Sequence, residues 1–356
     1  MDIINLLKRM VEKGASDLHL GTPSAPILRI HGELKIQDDI PPLTDVETQK
    51  IFNTIASPDQ IKRFNEEKEI DFAYSVPGLA RFRVNILMQR GSLSINFRSV
   101  PFKIPTMEEL GLPPVVKQIA LKRRGLVLVT GRTGSGKSTT MAAMVNYINE
   151  NESRNIITIE EPLEFLHQNK KCLISQREVG SDTESFNRAL VHALRHDPDV
   201  VVVGEMRDLE TITTAVTAAE TGHLVLATLH TYNAPQSVER MIDVFPSEQQ
   251  AQIRIQLSQV IEAIITQTLV HKTSGGRIAA LEIMIGTPAV RHLIREGKIH
   301  QLHSLMHTGA KEGMQILDQE LAYMVLDGKI SQQDAYLNAE DTDQLKSLIA
   351  TSPKKR

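Results

Sequence analysis

Tryptophan is absent from the 356 residues, and cysteine occurs once, as Cys172. A single thiol closes no internal disulfide and builds no four-cysteine zinc site, so neither a stapled framework nor zinc is expected, and a reducing compartment is. Long hydrophobic runs are missing too: no stretch of about 18 apolar residues occurs. The apolar start, MDIINLLKRMVEKGASDLHL, is broken by acidic and basic residues, which leaves no signal-peptide core. Nor is there a basic excess, since 40 Lys and Arg stand against 43 Asp and Glu for a net charge of -3, and aromatics make up only 4%. Proteins that track nucleic-acid strands draw on both features, so no nucleic acid partner is expected. What remains is ordinary globular composition, 41% hydrophobic and 23% charged. At roughly 150 residues per domain, the length predicts two domains with separate cores.

Ile3, Ile4, Leu6, Leu7, Met10 and Val11 recur at helical spacing up to Gly14, which predicts a helix over 2–13. Short β-type runs follow at 17–20, 27–30, 70–76, 80–88 and 93–100, with Pro77-Gly78 and Arg90-Gly91 as turns between the last three. Helix-compatible sequence at 44–65 interrupts them, so residues 1–100 read as a small α+β domain. Residues 101–114 have a linker's composition, with Met107, Leu110 and Leu112 spaced to pack as a short helix. From 115 to 356 the pattern becomes α/β: apolar strands at 125–130, 155–159, 200–203 and 224–228 alternate with helical segments. That pattern predicts a parallel sheet covered on both faces. Residues 249–270, and those from Pro288 onward, are expected to be mainly helical, with Lys354, Lys355 and Arg356 as a solvated tail.

The strand at 125–130 runs straight into Gly131, Arg132, Thr133, Gly134, Ser135, Gly136, Lys137, Ser138 and Thr139. This is the phosphate-loop pattern G-x-x-x-x-G-K-[ST] in its strand-to-helix setting. Glycines let successive N–H groups point inward at an anion, and the following helix adds its dipole. Lys137 is expected to bridge the β- and γ-phosphates of ATP or GTP, and the Ser138 hydroxyl to ligate Mg2+.

Glu205 closes the next apolar strand, placed to orient or deprotonate an attacking water, with Gly204 where an aspartate often stands. Glu160, Glu161 and Glu164 follow the strand at 155–159; they either position metal or water at the ligand-binding edge of the sheet or are solvated loop charge. His223 and His230 bracket the strand at 224–228, and either one senses the γ-phosphate or relays its state to a neighbouring subunit, or is a satisfied strand-end histidine. Strand alternation puts Arg81, Arg83 and Asn85 on one face and Phe82, Val84 and Ile86 on the other. The arginines either bring charge to a nucleotide or form a solvated face. Thr287-Pro288 opens a helix through Glu296 on which Arg291 and Arg295 share a face, as surface charge or as a contact to another element or partner.

Long motifs in a fixed order now resemble the secretion and pilus-assembly ATPase superfamily, and within it the branch that retracts type IV pili. They are GASDLHL at 14–20, ARFRVN at 80–85, GRTGSGKST at 131–139, IITIEEPLEF at 156–165, DPDVVVVGEMRDLET at 197–211, TAAETGHLVLATLHT at 217–231 and IMIGTPAVRHLIRE at 283–296. The resemblance implies an N-terminal PAS-like domain and a C-terminal RecA-like ATPase domain in a hexameric ring with nucleotide between subunits. It implies a place on the cytoplasmic face of the inner membrane, where the ring acts on the platform protein PilC and so on pilin, with the paralogue PilU as a further partner. By position, Glu160, Glu161 and Glu164 match the family's acidic box, Glu205 its Walker B glutamate, and His223 and His230 its histidine box. Arg81 and Arg83 match arginines that approach nucleotide, and the helix at 289–296 a motif associated with retraction. Arg132, Glu161 and Ala227 stand where the family usually has proline, aspartate and glycine. Pilus-extension and type II secretion ATPases usually add a further N-terminal domain and a four-cysteine zinc motif, and neither is expected here. A nucleic-acid motor or a nucleotide-gated scaffold are the readings from other classes.

Overall fold

The computed structural model describes residues 2–30, 32–100 and 103–351. The expected tail at 354–356, and Pro101 and Phe102 of the expected linker, lie outside the described residues. The chain divides into two compact units: Met1–Lys103 with Glu164–Leu166, and Ile104–Leu163 with His167–Arg356.

In the first unit α1 (Ile3–Glu12) precedes β1 (Asp17–Leu20), β2 (Ile27–Ile30) and β3 (Glu33–Ile36). Then come α2 (Asp45–Ile55), α3 (Pro58–Glu67), β4 (Glu69–Val76), β5 (Ala80–Gln89) and β6 (Ser92–Val100). The strands pair antiparallel in the order β3-β2-β1-β6-β5-β4. Alternation works as expected along β5: Phe82, Val84 and Ile86 are buried in a core with Ile95, Phe97, Leu18 and the inward stripes of α1 and α2. Thr44 with Glu47, and Ser57 with Gln60, form capping boxes that start α2 and α3. Sequence patterning missed β3, an edge strand in which every residue is exposed, so that burial leaves no mark on it.

The second unit runs α4 (Pro114–Ala120), β7 (Gly125–Thr130), α5 (Lys137–Asn151), β8 (Asn155–Glu160), β9 (Leu173–Glu178), α6 (Phe186–Ala193) and β10 (Val200–Val203). It continues with α7 (Leu209–Glu220), β11 (Leu224–Leu229), α8 (Ala234–Asp243), α9 (Ser247–Val260), β12 (Ile261–His271) and β13 (Arg277–Ile285). Helices α10 (Pro288–Arg295), α11 (Leu302–Thr308), α12 (Leu317–Leu326), α13 (Gln332–Asn338) and α14 (Thr342–Thr351) complete it. The sheet order is β13-β12-β7-β11-β10-β8-β9, parallel except for β13. Every residue of β7, β10 and β11 is buried. Successive β7 side chains enter opposite cores, Leu126 and Leu128 one, Val127 and Val129 the other, as a sheet covered on both faces requires.

Two expectations are corrected. Helix α9 stops at Val260, and residues 261–270, expected to be helical, form most of β12 beside β7. Ile261, Ile264, Ile265, Thr266, Thr268 and Val270 are β-branched, which disfavours helix and suits a pleated surface. Within the expected linker, residues 107–110 form a turn and not a helix. Met107 and Leu112 are nonetheless buried, packed in the same core as Val116 and Ile119 of α4.

Candidate functional site

Parallel strands bring their carboxyl ends to one edge of the sheet, and the phosphate loop is the turn by which β7 leaves that edge for α5. Gly131, Gly134 and Gly136 have φ of 139°, 78° and 90°, a region that side chains resist, so the pattern's glycines are there for backbone reasons. No side chain caps α5, whose N-cap is Gly136, and its first-turn N–H groups face the loop. Lys137 is buried, its ammonium reaching back across the loop to donate to Gly131 O at 2.9 Å and Arg132 O at 3.1 Å. Arg132 stacks over the Tyr232 ring, 4.8 Å from its centre, so the residue that replaces the family's proline is tethered.

His230, just past β11, joins loop to acid. Its Nδ1 lies 3.4 Å from Thr133 Oγ1 and 3.5 Å from Lys137 Nζ, while its Nε2 lies 3.2 Å from Glu205 Oε1. Glu205, just past β10, also takes a two-pronged contact from Arg207, at 2.6 Å to each carboxylate oxygen. Burial alone would raise the Glu205 carboxyl. The Arg207 hydrogen bond and the charges of His230 and Arg207 outweigh it and hold the group below the usual carboxylate range. Gly204 is explained by space: a Cβ there would sit 3.1 Å from Ile159 O and 3.2 Å from Glu160 Cα. A cavity of about 400 Å³ opens beside Glu205, Arg207 and His230, with Gln236, Glu239 and Arg240 of α8 on its far side.

Glu160 ends β8 on the same edge, accepting from Thr158 Oγ1 at 2.7 Å and Gln176 Nε2 at 3.3 Å. Glu161 is exposed and close enough to Arg207 to help raise the guanidinium's pKa, after the larger contributions of Glu205. Glu164 is exposed and groups with the first unit. In that unit Arg83 is exposed, and Arg81 donates to Ser75 Oγ at 3.4 Å. Asp17 of the GASDLHL segment has a structural part there: it is buried, and it accepts from Ser16 Oγ and Arg98 Nε, each at 2.8 Å.

The two histidines bracket β11, as the sequence predicts. His223 precedes β11 and His230 follows it, so the six-residue strand separates them by about 20 Å. His223 stands at the opposite edge, its Nδ1 2.9 Å from Ala218 O and its own carbonyl accepting from Gly125 N at the start of β7. It cannot sense a phosphate on this subunit's loop. Arg291 is likewise committed within the fold. It donates to Gly286 O at 2.8 Å, to Glu262 Oε1 at 2.5 Å and to Gln259 O, tying α10 to the start of β12. Arg295 stays more than half exposed, beside Glu296.

Sequence reasoning passed over Arg207, whose only signal was its place two residues after Glu205 in the turn leaving β10. It also passed over Gln267, hidden inside a run expected to be helical.

Residues 2–337 match the model of the Type II/IV secretion system protein family. The chain is 51% identical to the type IV pilus retraction ATPase PilT of Pseudomonas aeruginosa, over 94% of this chain and 97% of that one. It is 42% identical to the type IV pilus ATPase PilU of the same organism, over 98% and 91%. Its structure superposes on the crystal structure of the pilus retraction motor PilT with bound ADP at a TM-score of 0.91, with 46% identity over 98% of this chain and 99% of that one.

Proposed function

The chain belongs to the Type II/IV secretion system protein family, and from that premise we propose that it is the ATP-hydrolysing motor of type IV pilus retraction, the activity behind pilus disassembly and twitching motility. One observation carries the reading: a single bonded array of phosphate loop, His230 and Glu205 stands on the sheet edge of a chain that matches a retraction motor crystallised with ADP over 98% of its length.

In this reading the loop N–H groups and the α5 dipole hold the ATP phosphates. Lys137 exchanges its carbonyl partners for the β- and γ-oxygens as charge grows there. Glu205, ionised at neutral pH, orients the attacking water and accepts its proton, and His230 couples that carboxylate to the γ-phosphate end of the loop. Magnesium fits the residues present: Ser138, Glu160 and Glu205 are hard oxygen donors on one edge. Among the described residues no group of three or more His, Cys, Asp or Glu is poised to hold a metal alone. The ion would therefore take most of its ligands from phosphate and water, as magnesium prefers, and it would neutralise charge on the γ-phosphate.

We further assign Glu161 and Glu164 to tuning that water and metal, and Arg81 and Arg83 to supplying charge to the nucleotide of a neighbouring subunit in a homohexamer. The 1–100 and 115–356 segments serve as its PAS-like and RecA-like domains. Among the described residues no helix is long and apolar enough to cross a membrane, and we place the ring against PilC on the cytoplasmic face of the inner membrane. The test is a count of surface pili, with twitching motility, in cells lacking the gene and in cells carrying Lys137→Ala. Excess pili with lost motility are expected in both. Bald cells would assign the motor to extension instead.

A further inference from the structure

A buried amide, that of Gln267, lies beneath the phosphate loop. Gln267 lies on β12, one residue past the Thr130–Thr266 register pair, so it runs alongside Gly131, where β7 becomes the loop. It is 2% exposed, in a strand where an apolar side chain would satisfy the core and avoid the cost of burying an amide. Its Nε2 donates to the main-chain Ser135 O at 2.5 Å, and its Oε1 is buried with no partner among the described residues. Among the described residues, the amide's bond is thus made to the phosphate loop alone.

Two of the motif's glycines are fitted to this residue. A Cβ on Gly131 would lie 2.4 Å from Gln267 O, and one on Gly136 would lie 2.9 Å from Gln267 Nε2. Main chain and side chain of Gln267 together form the floor on which the loop rests.

We propose that Gln267 is a positioning residue for nucleotide binding, holding the Ser135–Gly136 peptide so that its N–H faces the phosphates. The peptide is planar and trans, so its C=O and N–H point to opposite sides. Fixing Ser135 O down onto Gln267 turns Gly136 N–H away from β12 and up into the loop, where an anion binds. With the carbonyl unheld, the flexible glycine beside it lets the peptide rotate, and a carbonyl oxygen turned toward phosphate repels it. The proposal rests on the nucleotide reading above but not on pilus retraction.

The experiment measures binding of a fluorescent ADP with magnesium to the full chain, wild type, Gln267→Met and Gln267→Glu, from pH 6 to pH 8, alongside melting without nucleotide. Gln267→Met keeps the shape and loses the donor. Its ADP affinity is expected to fall about tenfold, the size of one net hydrogen bond at about 1.4 kcal/mol. In Gln267→Glu an ionised carboxylate faces Ser135 O, so affinity falls further at pH 8. It recovers toward pH 6 as the carboxyl regains a proton to donate, a pH profile that loss of packing does not produce. Wild-type affinity in Gln267→Met, a flat profile in Gln267→Glu, or failure of both variants to fold overturns the proposal. Wild-type protein that binds no ADP overturns the nucleotide reading instead.

Discussion

The two edges of the seven-stranded sheet carry similar polar residues and spend them differently. At the amino edge side chains bond to main chain. Asp199 accepts from Asn155 N at 2.8 Å, the Asn155 amide donates to His196 O and Asp197 O, and Arg154 donates to Leu121 O and Lys122 O. Each bond satisfies a backbone group at the end of a strand or helix, and releasing it would leave that group stranded. At the carboxyl edge side chains bond mainly to one another: Arg207 to Glu205, Glu205 to His230, His230 to Thr133. A group bonded to another side chain can change partners without unmaking the fold. Chemistry belongs at the edge whose bonds are exchangeable, and substitutions at the two edges should fail in different ways.

The largest effect is expected from Lys137→Ala, which removes a cation that touches the loop carbonyls and, in our reading, the phosphates. Turnover of ATP should fall by roughly 100-fold or more. Melting should change little, because the ammonium holds loop backbone and no strand end. Glu205→Gln comes next. It keeps the size of the side chain and an acceptor, so ATP should still bind, while turnover falls about 100-fold for want of a base. Unchanged turnover in purified Glu205→Gln would remove that carboxylate from the mechanism.

The histidines at the two ends of β11 put the comparison in one strand. His230→Ala breaks the side-chain path from Glu205 through the imidazole to the loop, and should cost about tenfold in turnover. His223→Ala strips a partner from Ala218 O and should lower stability by about 1 kcal/mol, with turnover within about threefold of wild type. Assays of the two variants side by side decide the matter: equal losses of turnover would mean that the amino edge also serves the reaction.

Much of this was legible in the residues. Continuous β-branched runs gave the parallel strands, and G-x-x-x-x-G-K-[ST] between strand and helix gave the loop, because both follow from local chain geometry. Glu205 was legible because an acid directly after a buried strand must lie on the sheet's edge. What stayed hidden depends on which neighbours the fold brings together. Nothing in Ile261–His271 marks it as the strand beside β7, so the bond from Gln267 to the loop could not be foreseen. That His223 and His230 bracket a strand could be read from the sequence, but which backbone and side-chain partners each meets at its own edge could not. The two arginines of α10 look alike in sequence, yet Arg291 is used up in the fold while Arg295 remains exposed.

The smallest effect concerns a carboxyl on β13 that is sealed in, unlike Glu205. Glu282 is 1% exposed, with Oε1 accepting from Ala234 N at the start of α8 at 2.6 Å. Burial foremost, helped by the charges of Glu340 and Asp318 and opposed by bonds from the Ala234 and Leu317 amides, pushes its pKa up to about 8. Between the unfolded value of 4.5 and about 8 the folded chain holds a proton that the unfolded chain has lost. The unfolded state then binds fewer protons, so this group's contribution to stability falls as pH rises through that window. Gln at 282 keeps the acceptor for Ala234 N and cannot ionise. Glu282→Gln should therefore melt close to wild type near pH 5 and above it by pH 8, by at least about 1 kcal/mol or 2–4 °C. A gap that does not widen with pH would mean that the carboxyl is already ionised in the folded protein, and that burial separates it from Glu205 less than its surroundings require.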